Sequence, residues 1–170
     1  MNNIVLIGPM GSGKSTIGRL LAKKMNVDFF DTDEVLESRT GVSISTIFEI
    51  EGESGFRERE SKLIDEFRDL DGVVIATGGG AVLAPENREN LRKMGQVIYL
   101  HASLEILFER TQHSKNRPLL SSGDIKEKLR LILADRSALY EDTAHHIVET
   151  GVLSPADMLL QIASLVTVGE

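Results

Sequence analysis

The stretch GPMGSGKS, residues 8–15, stands between the short apolar run IVLI (residues 4–7) and an amphipathic helical pattern. It matches G-x-x-x-x-G-K-[ST] in full and has the strand–loop–helix context that this motif requires. The glycines let the backbone curl until successive amides point at phosphate oxygens, and the helix start adds its partial positive charge. The sequence therefore predicts a nucleoside triphosphate site. The alternative is a glycine-rich turn that only caps a helix, and motif and context together disfavour it.

The motif also assigns roles to single residues. Lys14 can reach the β- and γ-phosphates, and the Ser15 hydroxyl can ligate Mg²⁺. Nucleotide contacts are expected along the whole loop and first helical turn, from Gly11, Ser12, Gly13, Lys14, Ser15 and Thr16. Mg²⁺ usually takes one or two carboxylates besides phosphate. The run VVIA (residues 73–76) does not supply one, because Thr77 follows it where many phosphate-binding folds have an aspartate.

Candidate carboxylates follow another apolar run, in FFDTDE (residues 29–34). Asp31 and Asp33 are two residues apart, which in extended chain points their side chains to opposite faces. One can then face the metal and the other a different ligand. The alternative is that one of them only caps a helix starting near Glu34, since Asp-Thr-Asp is good capping chemistry.

Short β-branched runs alternate with longer helical patterns along the chain. The runs that resemble strands are IVLI (4–7), VDFF (27–30), VVIA (73–76), VIYL (97–100) and HIVE (146–149). This alternation predicts βαβ units, a parallel sheet and a three-layer α/β fold. The length of 170 residues fits a single domain, residues 1–170.

Composition limits the partners and the compartment. The net charge of −7 argues against binding to nucleic acid or membranes, which favour a basic surface. The absence of cysteine excludes disulfides and thiolate metal sites and fits a reducing cytosol. The start MNNIVLIG has no basic region and only a short apolar run, so we expect no signal peptide, no spanning helix and a cytoplasmic location.

Three consecutive glycines, Gly78 to Gly80, follow the run VVIA. They lose conformational entropy and pack no side chain, so we expect a bound ligand to approach this backbone too closely for any Cβ. A tight strand-to-helix turn is the alternative, but it needs only one or two glycines.

Arg136 is a second anomaly, because it lies within an apolar helical stripe. A cation there snorkels, pairs with a buried acid or faces a ligand anion.

Together these motifs resemble the shikimate kinase family. The resemblance rests on GPMGSGKST, D-T-D at 31–33, F-R-x-x-E at 56–60, TGGG at 77–80, R-P-L at 117–119 and R-x-x-L-Y at 136–140. The P-loop alone is generic, whereas the D-T-D, F-R-x-x-E and TGGG set is selective. The resemblance implies a P-loop kinase fold of the nucleoside-monophosphate-kinase type, with a five-stranded parallel sheet of order 2-3-1-4-5. We expect a substrate-binding helical region at about 32–60. We also expect a lid at about 112–124, because this stretch is polar, has no helical or strand period and is as long as loops that usually have a function.

The resemblance further implies ATP-dependent phosphorylation of the 3-hydroxyl of shikimate, a step towards chorismate and the aromatic amino acids, by a monomer. Positions that hold shikimate in the family match Asp33, Arg57, Gly79, Gly80 and Arg136, and we add Gly78 from the same run. Those matching Lys14, Ser15 and Asp31 serve the phosphates and Mg²⁺. Arg117 on the lid reaches the phosphates, Arg110 lies over adenine, and VETGVLSPAD (148–157) is similar to the adenine loop. The expected catalytic residues are Asp33, which takes the hydroxyl proton, Lys14 and Arg117.

Arg57 is selected by the motif, not by helix geometry, because Arg59 fits the apolar stripe of that helix better. Glu60, one turn further on, can pair with Arg57 and hold its guanidinium.

Two other functions stay open. Another small-metabolite or nucleotide kinase would share the P-loop and lid but lack the selective set. A nucleotide switch is disfavoured because D-x-x-G (69–72) precedes the third strand and no N-K-x-D motif occurs.

Overall fold

The computed structural model describes residues 2–112, 120 and 123–167. Its strands are β1 (Asn3–Ile7), β2 (Phe29–Asp31), β3 (Val74–Ala76), β4 (Gly95–His101) and β5 (His146–Glu149). Its α-helices are α1 (Lys14–Met25), α2 (Thr32–Thr40), α3 (Ile44–Glu66), α4 (Pro85–Met94), α5 (Leu104–Thr111), α6 (Ile125–Thr143) and α7 (Pro155–Thr167). The five strands form one parallel sheet ordered β2-β3-β1-β4-β5. The expected order and the three-layer α/β class are confirmed.

Successive residues of the central strand β1 serve opposite faces of the sheet, as strand geometry requires. Ile4 and Leu6 pack in a cluster with α1 and α7. Val5 and Ile7 pack in a second cluster with α3, α4 and α6. Helices therefore cover both faces, which explains why the strands are continuous apolar runs. Within the described ranges, no helix combines the length and the apolar character that crossing a membrane demands.

Strands β1, β3 and β4 differ from the predicted runs only at their ends, and three other elements show larger or more informative differences from what the sequence patterns indicate. Strand β2 covers Phe29–Asp31 instead of residues 27–30, so Asp31 is its last residue. Apolar periodicity does not reveal helix α4, because its sequence is strongly polar and only Asn87 and Leu91 are buried. Helix α3 is broken at Gly52, whose φ of 72° lies in the left-handed region that glycine adopts without strain.

Parallel pairing brings the carboxyl ends of the strands to one edge of the sheet. The loop after β1 (residues 8–13), the direct junction of β2 with α2 (residues 31–32) and the loop after β3 (residues 77–80) lie at this edge. Strand order reverses beside β1, which has β3 on one side and β4 on the other. Open α/β sheets bind their ligands at such a switch point. This edge therefore defines where the functional site must be sought.

Asn3 joins the starts of β1 and β3 at the opposite edge. Its side-chain amide donates to the Leu70 carbonyl at 2.8 Å, and its side-chain oxygen accepts from the Val73 amide at 3.1 Å. Asn3 is buried, so Asn3→Ala leaves two backbone groups without partners. We expect the free energy of unfolding, measured by urea denaturation, to fall by about 2 kcal/mol.

The neighbouring Asn2 supplies the matched control, because it is exposed. Asn2→Ala removes the same side chain and should change the free energy of unfolding by less than about 0.5 kcal/mol. Equal losses in the two variants would show that the Asn3 hydrogen bonds do not hold the two strands together.

Candidate active site

The loop after β1 is shaped to expose its backbone to a cavity. Gly11 has a φ of 80°, and a Cβ there would stand 2.7 Å from the Thr111 side chain. Gly13 has a φ of 93° and caps helix α1. The Lys14 ammonium donates to the carbonyls of Gly8 and Pro9, at 2.7 and 2.9 Å. The loop therefore presents amides, a cation and a helix start on one side, which is the chemistry of phosphate binding.

A cavity of about 450 Å³ lies over this loop, and we call it the P-loop cavity. All the loop residues expected from the motif line it: Gly11, Ser12, Gly13, Lys14, Ser15 and Thr16. The other walls come from the ends of β2 and β3, with Asp31, Asp33 and Gly79 among their residues. Its far end is formed by Arg110 and by the loop before α7. Arg110 donates to the Gly11 carbonyl at 3.0 Å.

Asp31 combines the two roles that the sequence analysis treated as alternatives. One carboxylate oxygen accepts from the amides of Asp33 and Glu34, at 3.0 and 3.2 Å, and so caps helix α2. The other oxygen accepts a hydrogen bond from the Ser15 hydroxyl. Asp31 is therefore more than a helix cap, because its second oxygen bonds to Ser15 in the wall of the P-loop cavity.

The pair of Ser15 and Asp31 fits a magnesium ion. A hydroxyl and a carboxylate stand in contact at the cavity wall, and both are hard oxygen ligands. Within the described ranges, no group of three or more His, Cys, Asp or Glu could enclose a metal. A cation at this place would therefore complete its coordination with phosphate and water, as Mg²⁺ does in nucleotide sites.

Asp33 does not lie in extended chain, contrary to the sequence interpretation. It belongs to the first turn of α2, which begins at Thr32. Asp33 lines the P-loop cavity and also a second cavity, so it faces both. Burial, reinforced by Asp31 and Glu60 and opposed by Lys14 and Arg57, raises the pKa of Asp33 to about 7. Within the described part of the chain, its Oδ1 atom is buried without a hydrogen-bond partner.

The second cavity, of about 130 Å³, lies between the glycine run and helices α2, α3 and α6, and we call it the glycine-turn cavity. It brings together the residues that were expected to hold the acceptor: Asp33, Arg57, Gly78, Gly79, Gly80 and Arg136. Asp33, Gly78 and Gly79 line both cavities. The two cavities are therefore adjacent and share one wall.

The absence of Cβ atoms in the glycine run leaves room for protein side chains as well as for a ligand. A Cβ on Gly80 would stand 2.3 Å from the Arg57 guanidinium. A Cβ on Gly78 would stand 2.8 Å from a Glu60 oxygen. The sequence interpretation, in which a bound acceptor alone excludes Cβ atoms, is therefore incomplete. The Gly78 amide already donates to the Thr32 hydroxyl at 3.0 Å.

Arg57 reaches the cavity although its helical angle does not favour it. Its guanidinium lies over the Phe56 ring, with Cζ 5.1 Å from the ring centroid, and donates a hydrogen bond to Glu60 at 2.9 Å. Arg59, which the apolar stripe favours, pairs with Glu51 at the surface. The long, flexible side chain of Arg57 therefore reaches the cavity even though its position on the helix does not face it. The pair of Arg57 and Glu60 that we expected is present.

Arg136 is 5% exposed, so it does not snorkel to solvent. Its guanidinium lines the glycine-turn cavity and lies 3.7 Å from the place of a Cβ on Gly79. Its charge also lowers the pKa of the buried Glu60 carboxyl, although burial, the larger effect, raises it. Arg117, the expected lid residue, lies outside the described residues.

The sequence analysis missed several residues that line the glycine-turn cavity: Met10, Glu37, Ser43, Ile44, Ser45 and Phe48. Met10 occupies a variable place in the P-loop motif, and the others have the composition of ordinary helix residues. Their position depends on how α2 and α3 fold over the glycine run, which no local pattern records.

Thr77 has a structural role at the end of β3. Its hydroxyl donates to the Leu6 carbonyl at 3.1 Å and helps to hold β3 against β1.

Comparison with known proteins gives a consistent result. The family model described as shikimate kinase matches residues 10–167. A shikimate kinase of Nitrosococcus oceani is 56% identical over 149 residues, 88% of this chain and 78% of the relative. One of Nitrosospira multiformis is 48% identical over 168 residues, 99% of this chain and 86% of the relative.

Solved structures agree with the sequence comparison. A shikimate kinase from Acinetobacter baumannii in complex with shikimate has a TM-score of 0.96 and 42% identity, covering 100% of this chain and 95% of that one. A gluconokinase from Sinorhizobium meliloti has a TM-score of 0.57 and 18% identity over 98% of this chain and 94% of that one, which shows a shared fold alone. The chain belongs to the shikimate kinase family.

Proposed function

We propose that this chain transfers the γ-phosphoryl group of ATP to the 3-hydroxyl of shikimate, giving shikimate 3-phosphate and ADP. It is an ATP-dependent kinase by its family. The observation that carries the proposal is the wall shared by the two cavities, lined by Asp33, Gly78 and Gly79. A donor in one cavity and an acceptor in the other would meet at this wall, as direct phosphoryl transfer requires.

On the nucleotide side, the loop from Gly11 to Thr16 would bind the phosphates through its amides. The Lys14 ammonium would exchange its bonds to loop carbonyls for bonds to the β- and γ-phosphates. Ser15 and Asp31 would hold Mg²⁺, which neutralises phosphate charge when bound. Arg110 would lie over adenine, supported by its position in the wall of the P-loop cavity.

On the acceptor side, Arg57 and Arg136 would bind the carboxylate of shikimate between them. Guanidinium groups suit this role because their paired N–H donors match a carboxylate. Gly79 and Gly80 would offer backbone amides at the same cavity. Gly78 would serve mainly as part of the wall, because its amide is already bonded to Thr32.

Asp33 would orient the acceptor hydroxyl and accept its proton. Its raised pKa, about 7, supports this role, because a general base works best near the pH of the reaction. Transfer would be direct and in line, without a covalent enzyme intermediate, so positioning and charge would supply most of the rate. Arg117 would add positive charge at the transferred phosphoryl, which stays a prediction from the sequence.

The wider assignments of the sequence analysis belong to the same proposal. Residues 1–170 would form one domain, in which residues 32–60 bind the acceptor and residues 112–124 form a lid over the nucleotide. The walls that α2 and α3 contribute to the glycine-turn cavity support the first of these regions. The chain would act in the cytoplasm as a monomer, without nucleic acid or membrane partners.

The direct test mixes the protein and MgATP with shikimate, quinate, gluconate and a set of nucleoside monophosphates, and follows ADP release. We expect kcat/KM for shikimate to exceed that for the other acceptors by orders of magnitude. Quinate has a tetrahedral carbon with an extra hydroxyl beside its carboxylate, gluconate is an open chain, and nucleoside monophosphates carry no carboxylate. A preference for gluconate or a nucleotide would replace this proposal by another kinase of the same fold. Equal, slow ADP release with all acceptors would leave only ATP hydrolysis.

Arg136→Lys tests the anion-binding role. Lysine keeps the charge but loses the paired donors, so we expect the KM for shikimate to rise about tenfold or more and the KM for ATP to change by less than about twofold. Arg130→Lys is the matched control, because Arg130 lies on the same helix but at the surface, paired with Glu127. If Arg136→Lys raises both KM values equally, the assignment of Arg136 to the acceptor is wrong.

Asp33 also makes stability depend on pH. Its folded pKa of about 7 lies above the value of about 4 in the unfolded chain, so its contribution is present below pH 4 and lost as pH rises through 7. In protein free of nucleotide and divalent cations, wild type should lose about 2 kcal/mol of unfolding free energy relative to Asp33→Asn between pH 5 and pH 7.

Asp28→Asn serves as the control for this measurement, since Asp28 is exposed. A loss of the same size relative to Asp28→Asn would show that the effect is not specific to Asp33. A constant difference between wild type and Asp33→Asn would contradict a raised pKa at Asp33 and remove the support that it gives to the general base.

A further inference from the structure

Tyr140 bonds to the glycine run and lies close to Arg136 on the same helix, outside the lining of the glycine-turn cavity. It lies one helical turn after Arg136 on α6 and is 1% exposed. Its hydroxyl donates a hydrogen bond to the Gly79 carbonyl. Its ring stacks on that of Tyr99 from β4, with 5.0 Å between centroids and 29° between planes. The hydroxyl is therefore held in place by rigid elements.

Arg136 lies beside the same hydroxyl. Its Nη1 atom is 3.7 Å from the place of a Cβ on Gly79, the residue whose carbonyl accepts the Tyr140 bond. A phenol can accept one bond and donate another at once, so the oxygen that serves Gly79 can also serve Arg136. Burial raises the pKa of Tyr140 to about 12 although the nearby Arg136 guanidinium lowers it, so the hydroxyl keeps the proton that it donates.

We propose that Tyr140 is a positioning residue for the acceptor, because its hydroxyl joins the guanidinium of Arg136 to the glycine turn at Gly79. The inference rests on the function proposed above. Tyr140 does not line either cavity, so it acts through these two residues and not by touching a substrate. Without the hydroxyl, the Gly79 carbonyl loses its donor, and Arg136 loses the neighbouring oxygen that we infer fixes its direction.

The variant Tyr140→Phe removes this hydroxyl and keeps the ring. Tyr99→Phe is the matched control, because it removes a hydroxyl from the same buried stack without touching Gly79. We expect Tyr140→Phe to raise the KM for shikimate about tenfold, with kcat and the KM for ATP within about twofold of wild type. Tyr99→Phe should leave all three values unchanged. Thermal melting of both variants reports the general loss of stability.

A double-mutant cycle tests the link to Arg136. The combination of Tyr140→Phe with Arg136→Lys should raise the KM for shikimate by less than the product of the single effects. Tyr99→Phe combined with Arg136→Lys should give the product. This comparison separates positioning from lost stability, because both tyrosine variants disturb the same stack.

The outcomes distinguish this inference from the proposed function. If wild type phosphorylates shikimate and Tyr140→Phe has an unchanged KM for it, the inference is wrong and the function stands. The inference is also wrong if Tyr99→Phe raises that KM as much, or if the KM for ATP rises in parallel. If wild type does not phosphorylate shikimate, the proposed function fails and the inference fails with it.

Discussion

The guanidinium of Arg57 lies so close to the backbone of Gly80 that a methyl group there would overlap it. A side chain at position 80 would displace this guanidinium, so its place beside the backbone depends on glycine, and the contact brings a cation to the turn after β3. Glu60, buried beside Gly78, holds the guanidinium from the other side. Buried charges persist only when they are paired and hydrogen-bonded. The glycine run is thus the surface against which the buried Glu60 pairs with the partly buried Arg57, and the glycine-turn cavity lies beside that pair.

Asp31, Asp33 and Glu60 lie near Lys14, Arg57 and Arg136 at the same edge of the sheet. Asp31 uses its two oxygens for the helix cap and for Ser15. Burial is the largest influence on the pKa of Asp33 and raises it, although Lys14 and Arg57 oppose the rise. Two carboxylates separated by one residue thus acquire different chemistry, one suited to a metal ion and the other to a proton. Their environments, and not their residue type, determine the difference.

Sequence alone predicted those parts of the site that depend on local backbone chemistry. The P-loop is of this kind, because its glycines, Lys14 and Ser15 are adjacent in the chain. The strand order came from family resemblance, since local patterns give no pairing partners. The helical position of Asp33 was missed because the chain turns into α2 directly after a three-residue strand. The direction of Arg57 also could not be read from its helical angle, because it depends on packing across Phe56 and the glycine run.

We propose that donor and acceptor meet at the wall formed by Asp33, Gly78 and Gly79. A crystal structure of the chain with shikimate and a non-hydrolysable ATP analogue tests this most directly. We expect the shikimate carboxylate between Arg57 and Arg136, and the 3-hydroxyl within hydrogen-bond distance of Asp33 and in line with the γ-phosphate. Shikimate bound elsewhere, or with its carboxylate turned towards Lys14 and away from Arg57 and Arg136, would contradict this arrangement.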